Sequence, residues 1–497
     1  MSATTSDKTR GGEIKRRASR GLAWTFGSNI IIKIGLFGKS VVIARILFPE
    51  DLGLLGVALL VSGVVELFSR TGFEEAIVQK SEDPGGYLDS VWTFNLIRGF
   101  LLFLLMLAAA PAAGWLFKDP RVVPVVMVLA VTSVFTGAAN PAVVLRRRDL
   151  KMLQWNLYRG SGPVVEVIVG IIALVWLRSV WGLVIAIIAN GIFSTVVSFA
   201  VARRRPKIQL ERRKIGELFG FGKHILGSGI LIYLITQGDN VVVGRVAGIA
   251  ALGLYKLAYG FANVPVTAVT HVLGDVLFPA YSRLQDDKRA VLRGFEITLE
   301  TSVVFAVAFA TLAILFAPEL IAVVFGTKWL GATGALRILC VFMLLRTIGA
   351  NIGPFVYGMG RPDLAVKAAL VKLVLMAVII YPLVKYYGII GAAVATTVPS
   401  FFSTTWVAGR LIKICGWNRK AFAGCFSSPA LGGAAAAAVG VVLKYGSSID
   451  FGAPVNLVAG ISLCAFVYAV TVFFATNLQK RRLIPAWVEM ARNVVTG

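Results

Sequence analysis

Histidine and cysteine are nearly absent from this chain of 497 residues: there are two histidines, His224 and His271, and four cysteines, Cys340, Cys415, Cys425 and Cys464. Neither histidine has a His or Cys at ligand spacing, so no metal is expected. The cysteines fall in apolar runs or beside basic loops, which points to free thiols rather than a disulfide framework. Acids are scarce too, 25 against 50 Lys and Arg, and charged residues make up only 15% of the chain. No glycine-rich phosphate loop followed by Lys and Ser or Thr occurs, and no outer loop exceeds roughly a dozen residues. Without a soluble domain an active site would have to be built among apolar helices, so a non-enzyme without cofactor is expected.

What the chain has in abundance is apolar sequence, 57% of residues with a mean hydropathy of +0.80. Its runs approach or exceed the ~20 residues that span a bilayer as a helix, and their lack of period-2 alternation excludes a barrel. The expected fold is an all-α polytopic membrane protein with fourteen transmembrane helices. They are placed near 21–46, 52–76, 90–117, 121–145, 157–178, 180–202, 218–246, 252–280, 295–317, 328–358, 363–385, 387–412, 425–444 and 453–477. Pro120, Pro206, Pro362 and Pro454 separate helices, whereas Pro163, Pro265, Pro354 and Pro382 fall inside them and should kink them.

The cations alternate from loop to loop. Lys15, Arg16, Arg17 and Arg20, then Arg146–Arg148, Arg203–Lys214, Arg283–Arg293, Arg410–Lys420 and Lys480–Arg482 all lie an even number of crossings apart. By the positive-inside rule both termini of this multi-pass membrane protein are expected to be cytoplasmic. The formal charge of +25 is thus a record of topology, with anionic lipid as a secondary partner and no nucleic acid. The basic opening tail runs straight into an apolar stretch that carries Lys33 and Lys39, so no cleavable signal peptide is expected.

One stretch recurs. Ala44-Arg45-Ile46 with Leu52-Gly53-Leu54 returns as Gly244-Arg245-Val246 with Leu252-Gly253-Leu254, at an offset of 200, and Trp181-Gly182-Leu183 is echoed by Tyr387-Gly388-Ile389 at 206. A nearly constant offset is the trace of a duplicated half, and six intervening crossings make the repeat parallel. The expected organisation is a tail 1–20, an N-lobe 21–206 of helices one to six, a C-lobe 207–415 of helices seven to twelve, helices thirteen and fourteen over 416–477, and a tail 478–497.

Ionisable groups inside the bilayer cost at least ~2.5–3.5 kcal/mol and usually face a cavity. In the first helix Asn29, Lys33 and Ser40 share a line, with Lys39 beside it; in its repeat partner Tyr233, Gln237, Asn240 and Gly244 share the same line, with Asp239 at the position of Lys39. Ser62, Glu66 and Ser69, Asn95 and Arg98, Lys256 and Asn263, and Arg337 and Arg346 extend the polar set. The candidate cavity residues are therefore Asn29, Lys33, Arg98, Asn240, Asn263 and Arg346, with Lys39, Asp239 and Glu66 as candidates for coupling or gating. Plainer readings stand beside these: Glu66 and Arg70 at i, i+4 are placed to neutralise each other, and Arg45, Arg245 and Lys256 are near enough to helix ends to snorkel. Glu166 and Asp275 are acids with no assigned role. Lys33 and Arg346 lie deepest, Lys39 and Asp239 are placed to pair, and a cation-rich cavity favours an anionic cargo such as a diphosphate.

Ala44-Arg45-Ile46-Leu47, Leu52-Gly53-Leu54, Glu66-Leu67-Phe68-Ser69, Gly72 and Gln79-Lys80 resemble the opening of Wzx-type polysaccharide transporters, nearest the colanic-acid exporter branch. Asp239–Arg245, Leu254-Tyr255, Ala258-Tyr259, Ala262-Asn263, Leu277–Ala280 and Ser282-Arg283-Leu284 resemble the start of their second lobe. The resemblance implies the fold of the multidrug/oligosaccharidyl-lipid/polysaccharide exporter superfamily, two six-helix lobes in a V around a cavity that opens alternately to each side. It also implies the cargo, an undecaprenyl-diphosphate-linked oligosaccharide flipped for exopolysaccharide or lipopolysaccharide assembly, and a polysaccharide polymerase and co-polymerase as partners. A drug or cation antiporter of the same fold would need a net acidic cavity. A polymerase or ligase would need a large outer loop.

Overall fold

The computed structural model describes residues 35–67, 72, 73, 76, 77, 84–149, 151–202, 204–264, 288–359, 361–415, 417, 419–446 and 454–478. Among them the chain is helical, without strands. Among the described residues eight helices are long and apolar enough to cross a membrane, and a bent pair, Val122–Ala138 with Pro141–Arg148, makes a ninth if its limbs, 59° apart, form one span. The chain divides into two compact units, residues 1–237 and 238–497, and the division falls inside one long helix, Arg212–Val246.

In the N-terminal unit, helix α1 covers 35–46 and α2 is Pro49–Leu67. Pro49 takes the first helical position, where its missing N–H costs nothing, and the Asp51 carboxylate accepts from the Phe48 N–H at 3.1 Å, so the junction is capped locally. Helices α3 (Leu88–Phe117) and α4 (Val122–Ala138) form one antiparallel hairpin, and α5 (Met152–Leu177) and α6 (Val180–Ala202) form another. The first turns at Lys118 and the second at Arg178, both left-handed, with φ of 56° and 46°. Near the start of α3 these elements close over a core of Phe73, Ile77, Leu88, Val91, Ala142, Val143, Val144 and Ala202.

Helix α7, Arg212–Val246, leads into the C-terminal unit and is followed by α8, Ile249–Ala262. The duplicated stretch takes the same local form twice, since α1 ends at 46 and α2 starts at Pro49 while α7 ends at Val246 and α8 starts at Ile249. Then come α9 (Lys288–Leu315), α10 (Thr333–Gly358), α11 (Pro362–Cys415), α12 (Arg419–Gly446) and α13 (Pro454–Leu478). Helix α11 has two limbs that meet at Gly388, whose φ of 56° and ψ of −133° suit a residue without Cβ. A continuous helix of that length would measure about 80 Å, more than twice a ~30 Å hydrocarbon core, so each limb is long enough for its own crossing.

Two expected helices differ in detail. The span foreseen at 121–145 is interrupted where Asn140 leaves the helical region (ψ 112°) and its side chain caps a short 3-10 turn through the Ala142 N–H. The span foreseen at 328–358 begins as a 3-10 turn, Thr327–Ala332, and becomes α-helical at Thr333. Of the prolines expected inside helices, Pro163, Pro354 and Pro382 lie within α5, α10 and α11; Pro265 is outside the described residues.

Candidate functional site

Each unit holds a polar cluster among its apolar helices. In the N-terminal unit, Gly162, Glu166 and Gly170 repeat every four residues along one stripe of α5, and Ala186, Asn190 and Ser194 do the same along α6. The Lys39 ammonium of α1 reaches Glu166 Oε1 at 2.5 Å, and the two side chains are only 9% and 20% exposed. The other carboxylate oxygen accepts from Asn190 Nδ2 at 2.7 Å, and Asn190 Oδ1 accepts from the Ser194 hydroxyl at 3.0 Å. Small residues keep these stripes open: a Cβ at Gly162 would lie 2.1 Å from Asn190 Oδ1, and one at Gly170 would come 3.2 Å from the Ala186 Cβ while only touching Lys39 Cε, at 3.4 Å. One positive and one negative charge thus cancel, with hydrogen bonds on both carboxylate oxygens.

The C-terminal unit arranges similar residue types differently. Asp239, buried near the end of α7, accepts from the Tyr255 hydroxyl through Oδ2 and from the Asn240 N–H through Oδ1, both at 2.8 Å. Tyr255 and Tyr259 stack one turn apart on α8 with ring centroids 6.2 Å apart, and Arg346 of α10 donates from Nη1 to the Tyr259 hydroxyl at 2.8 Å. Lys372, on the first limb of α11, sets its ammonium 4.9 Å from the centre of the Phe342 ring and within electrostatic reach of both Arg346 and Asp239. Lys256 also feels Asp239, and the buried Thr396 hydroxyl neighbours that of Tyr255. Among the described residues this cluster therefore holds three basic side chains, with Lys256 and Lys372 near Asp239 and Arg346 near Tyr259 and Lys372, and one carboxylate, a formal excess of two positive charges.

The sequence candidates divide accordingly. Arg346, Asp239 and the buried Asn240 come together in the C-terminal cluster; Asn263, half-buried, sits just past the end of α8, where its N–H donates to the Tyr259 carbonyl. Lys39 belongs to the N-terminal cluster, paired with Glu166, and Asp239 to the C-terminal cluster, bonded to Tyr255. Arg98 is half-buried on α3, Glu66 is exposed on α2, and Arg337 is exposed near the start of α10 with Nε donating to the Ile314 carbonyl. Asn29, Lys33 and Arg70 are outside the described residues, which places the Glu66–Arg70 pair there too.

Sequence reasoning passed over Lys372, Tyr255, Tyr259, Asn190 and Ser194 as functional residues. Lys372 was within reach of the depth argument, because it stands well inside an apolar run as Arg346 does. The tyrosines carried part of the family resemblance without a role. Asn190 becomes meaningful only once Glu166 is known to face it.

The family model for polysaccharide biosynthesis protein matches residues 42–333. The chain belongs to this family. The lipopolysaccharide biosynthesis protein WzxC of Escherichia coli (strain K12) is 25% identical over 363 residues, 71% of this chain and 72% of its own. The succinoglycan biosynthesis transport protein ExoT of Rhizobium meliloti (strain 1021) is 24% identical over 507 aligned residues, 96% of each chain. Among solved structures, the lipid II flippase MurJ in an inward closed conformation aligns with a TM-score of 0.73 at 12% identity, over 93% of this chain and 100% of its own, a likeness of fold. The family resemblance read from the repeated motifs is thereby established, and with it a helical membrane protein of the kind that serves polysaccharide biosynthesis.

Proposed function

We propose that this protein is a flippase that carries undecaprenyl-diphosphate-linked oligosaccharide units across the inner membrane for exopolysaccharide or lipopolysaccharide assembly. The observation that carries this reading is the surplus charge of the C-terminal cluster, where Lys256, Arg346 and Lys372 outnumber Asp239. A diphosphate diester brings two negative charges, which match the two left over. Arg346 supplies a planar fork for phosphate oxygens and Lys372 a point charge, while Tyr259 fixes the direction of the guanidinium. Such a cluster exposed alternately to the two membrane faces would take up the headgroup on one and release it on the other. Lys33 and Arg98 remain proposed contributors, Asp239 and Glu66 remain the carboxylates proposed for coupling to an ion gradient, and Lys39 is proposed to act through its pair with Glu166. Relatives named for polysaccharide biosynthesis and a fold shared with a lipid II flippase support the reading.

The membrane setting we propose is fourteen crossings with both termini cytoplasmic, and two lobes of six helices related by a parallel repeat, with boundaries near 206 and 415. A drug or cation antiporter of this fold would call for acids where this cluster carries cations. The test is reconstitution in liposomes with a labelled lipid-linked oligosaccharide. Translocation without chain growth supports the flippase; chain growth in the absence of a polymerase, or cation-coupled drug uptake, overturns it.

A further inference from the structure

Residues 204–211, which join α6 to α7, are a non-helical strap held rigidly against the start of α3. The Lys207, Gln209 and Glu211 N–H groups donate to Asp89 Oδ1, Thr93 Oγ1 and Ser90 Oγ at 3.0, 2.9 and 3.1 Å. The Arg204 carbonyl accepts from Asn140 Nδ2 at 2.7 Å, so the strap is pinned at every second amide and at its start. Local acids are each taken by one cation: Asp89 by Arg204, Glu211 by Lys214 and Glu217 by Arg213. Arg205, Lys207 and Arg212 are left exposed, with no ion pair among the described residues. Between them Ile208 is 81% exposed and Leu210 46% exposed.

Pinned backbone keeps two aliphatic side chains outward where collapse would otherwise hide them, and it brackets them with cations that have no acid of their own. The strap starts two residues after the apolar helix α6 ends, where an apolar run gives way to polar chain. We propose that this strap is a docking surface for anionic phospholipid, with Ile208 and Leu210 entering the acyl boundary while Arg205, Lys207 and Arg212 hold headgroup phosphates. This goes beyond the flippase reading and does not depend on the cargo, because the strap shares no residue with either cluster. A cation near an anionic surface is worth about five-fold in lipid partition, so the three together are worth about a hundred-fold.

The test uses Ile208→Cys labelled with an environment-sensitive fluorophore, since Cys340, Cys425 and Cys464 are buried and Cys415 half-buried. The protein is placed in vesicles of phosphatidylcholine alone or mixed with phosphatidylglycerol. The expected result is a blue shift in the mixed vesicles only. Raised salt should weaken it, and Arg205→Gln, Lys207→Gln and Arg212→Gln together should abolish it, while Thr93→Ala, which loosens the strap, should make the emission heterogeneous. Equal emission in both vesicle types overturns the proposal, whether red, meaning that the strap faces water, or blue, meaning apolar insertion without headgroup selection. A blue shift undiminished in a folded triple variant overturns it as well, and the monodisperse elution of each variant separates misfolding from lost docking.

Discussion

The N-terminal unit meets a buried lysine with a carboxylate, whereas the C-terminal unit gathers three basic side chains in a cluster with one acid, Asp239, among the described residues. Lys39 and Glu166 sit on stripes cleared by Gly162 and Gly170, and Asn190 and Ser194 finish the hydrogen bonding, so nothing in that cluster calls for an outside charge. Around Asp239 the balance is different, with Arg346 bonded, among the described residues, to a neutral tyrosine hydroxyl and Lys372 facing an aromatic ring. Removing a charge from the first cluster should therefore harm the folded state. Removing one from the second should harm whatever the cluster binds.

Glu166→Ala tests the first half of this contrast with the largest expected effect. It strands the Lys39 ammonium among apolar helices, a loss of about 3–5 kcal/mol by comparison with other broken buried pairs. Membrane abundance and thermal stability should fall together. Lys39→Met combined with Glu166→Leu should restore both, because an apolar pair of similar volume carries no desolvation cost. A Glu166→Ala protein that remains abundant while transport stops would move this cluster from structure to function.

Arg346→Ala and Lys372→Ala test the second half. Each should leave a folded, membrane-inserted protein and lower headgroup affinity by about 10–100-fold, the range of a charge-assisted hydrogen bond of ~1.5–3 kcal/mol. Transport of labelled lipid-linked oligosaccharide into liposomes, normalised to protein, gives the measure. Normal transport from either variant removes that residue from the site, and loss of folded protein would make the two clusters alike.

The sequence displayed the helices more plainly than the clusters they carry, for a physical reason. Apolar runs and loop cations are local signals, so the all-helical membrane fold and the Leu-Gly-Leu junctions at 52–54 and 252–254 could be read residue by residue, whereas Lys39 and Asp239, expected to face a wet gap, are buried beside Glu166 and Tyr255. Charge cancellation is not local. Glu166 lies 127 residues from Lys39, and no periodicity along either helix says that they meet. Asn240 and Arg346 were legible through polarity at depth, whereas the Tyr259 hydroxyl that steers Arg346 looks from sequence like any interfacial aromatic. The break at Asn140 was hidden because Ala142–Leu145 are as apolar as Val122–Ala138, and only a side-chain cap distinguishes a bend from a continuous helix.

Tyr259→Phe sharpens the contrast at smaller scale. The ring stays against Tyr255 and Phe342 while the hydroxyl that holds Arg346 disappears. One hydrogen bond to a charged group is lost from the free protein, but the guanidinium keeps its charge, so about five-fold weaker transport at low cargo concentration is expected, nearly recovered at saturation. A loss as large as that of Arg346→Ala would show that the hydroxyl itself touches cargo.

The smallest effect is expected at the exposed loop between α3 and α4, where Arg121 donates to Asp119 and to Glu50. This is the same chemistry as Lys39 with Glu166, but with the cation in water and an acid, Asp119, that is only 13% exposed. The Arg121 side chain is 57% exposed, and exposed pairs contribute ~0–1 kcal/mol, less as salt rises. Hydrogen bonds from Arg121 hold the Asp119 carboxyl below its ordinary range. Because its folded pKa is depressed, the stabilisation is complete above the ordinary carboxylate value of about 4 and fades as the pH falls through the lower folded value. Asp119→Asn should therefore change thermal stability slightly at neutral pH and not at all once Asp119 is protonated. If this substitution cost as much as Glu166→Ala, burial would not be what separates the two pairs, and the loop would be holding α3 and α4 in place.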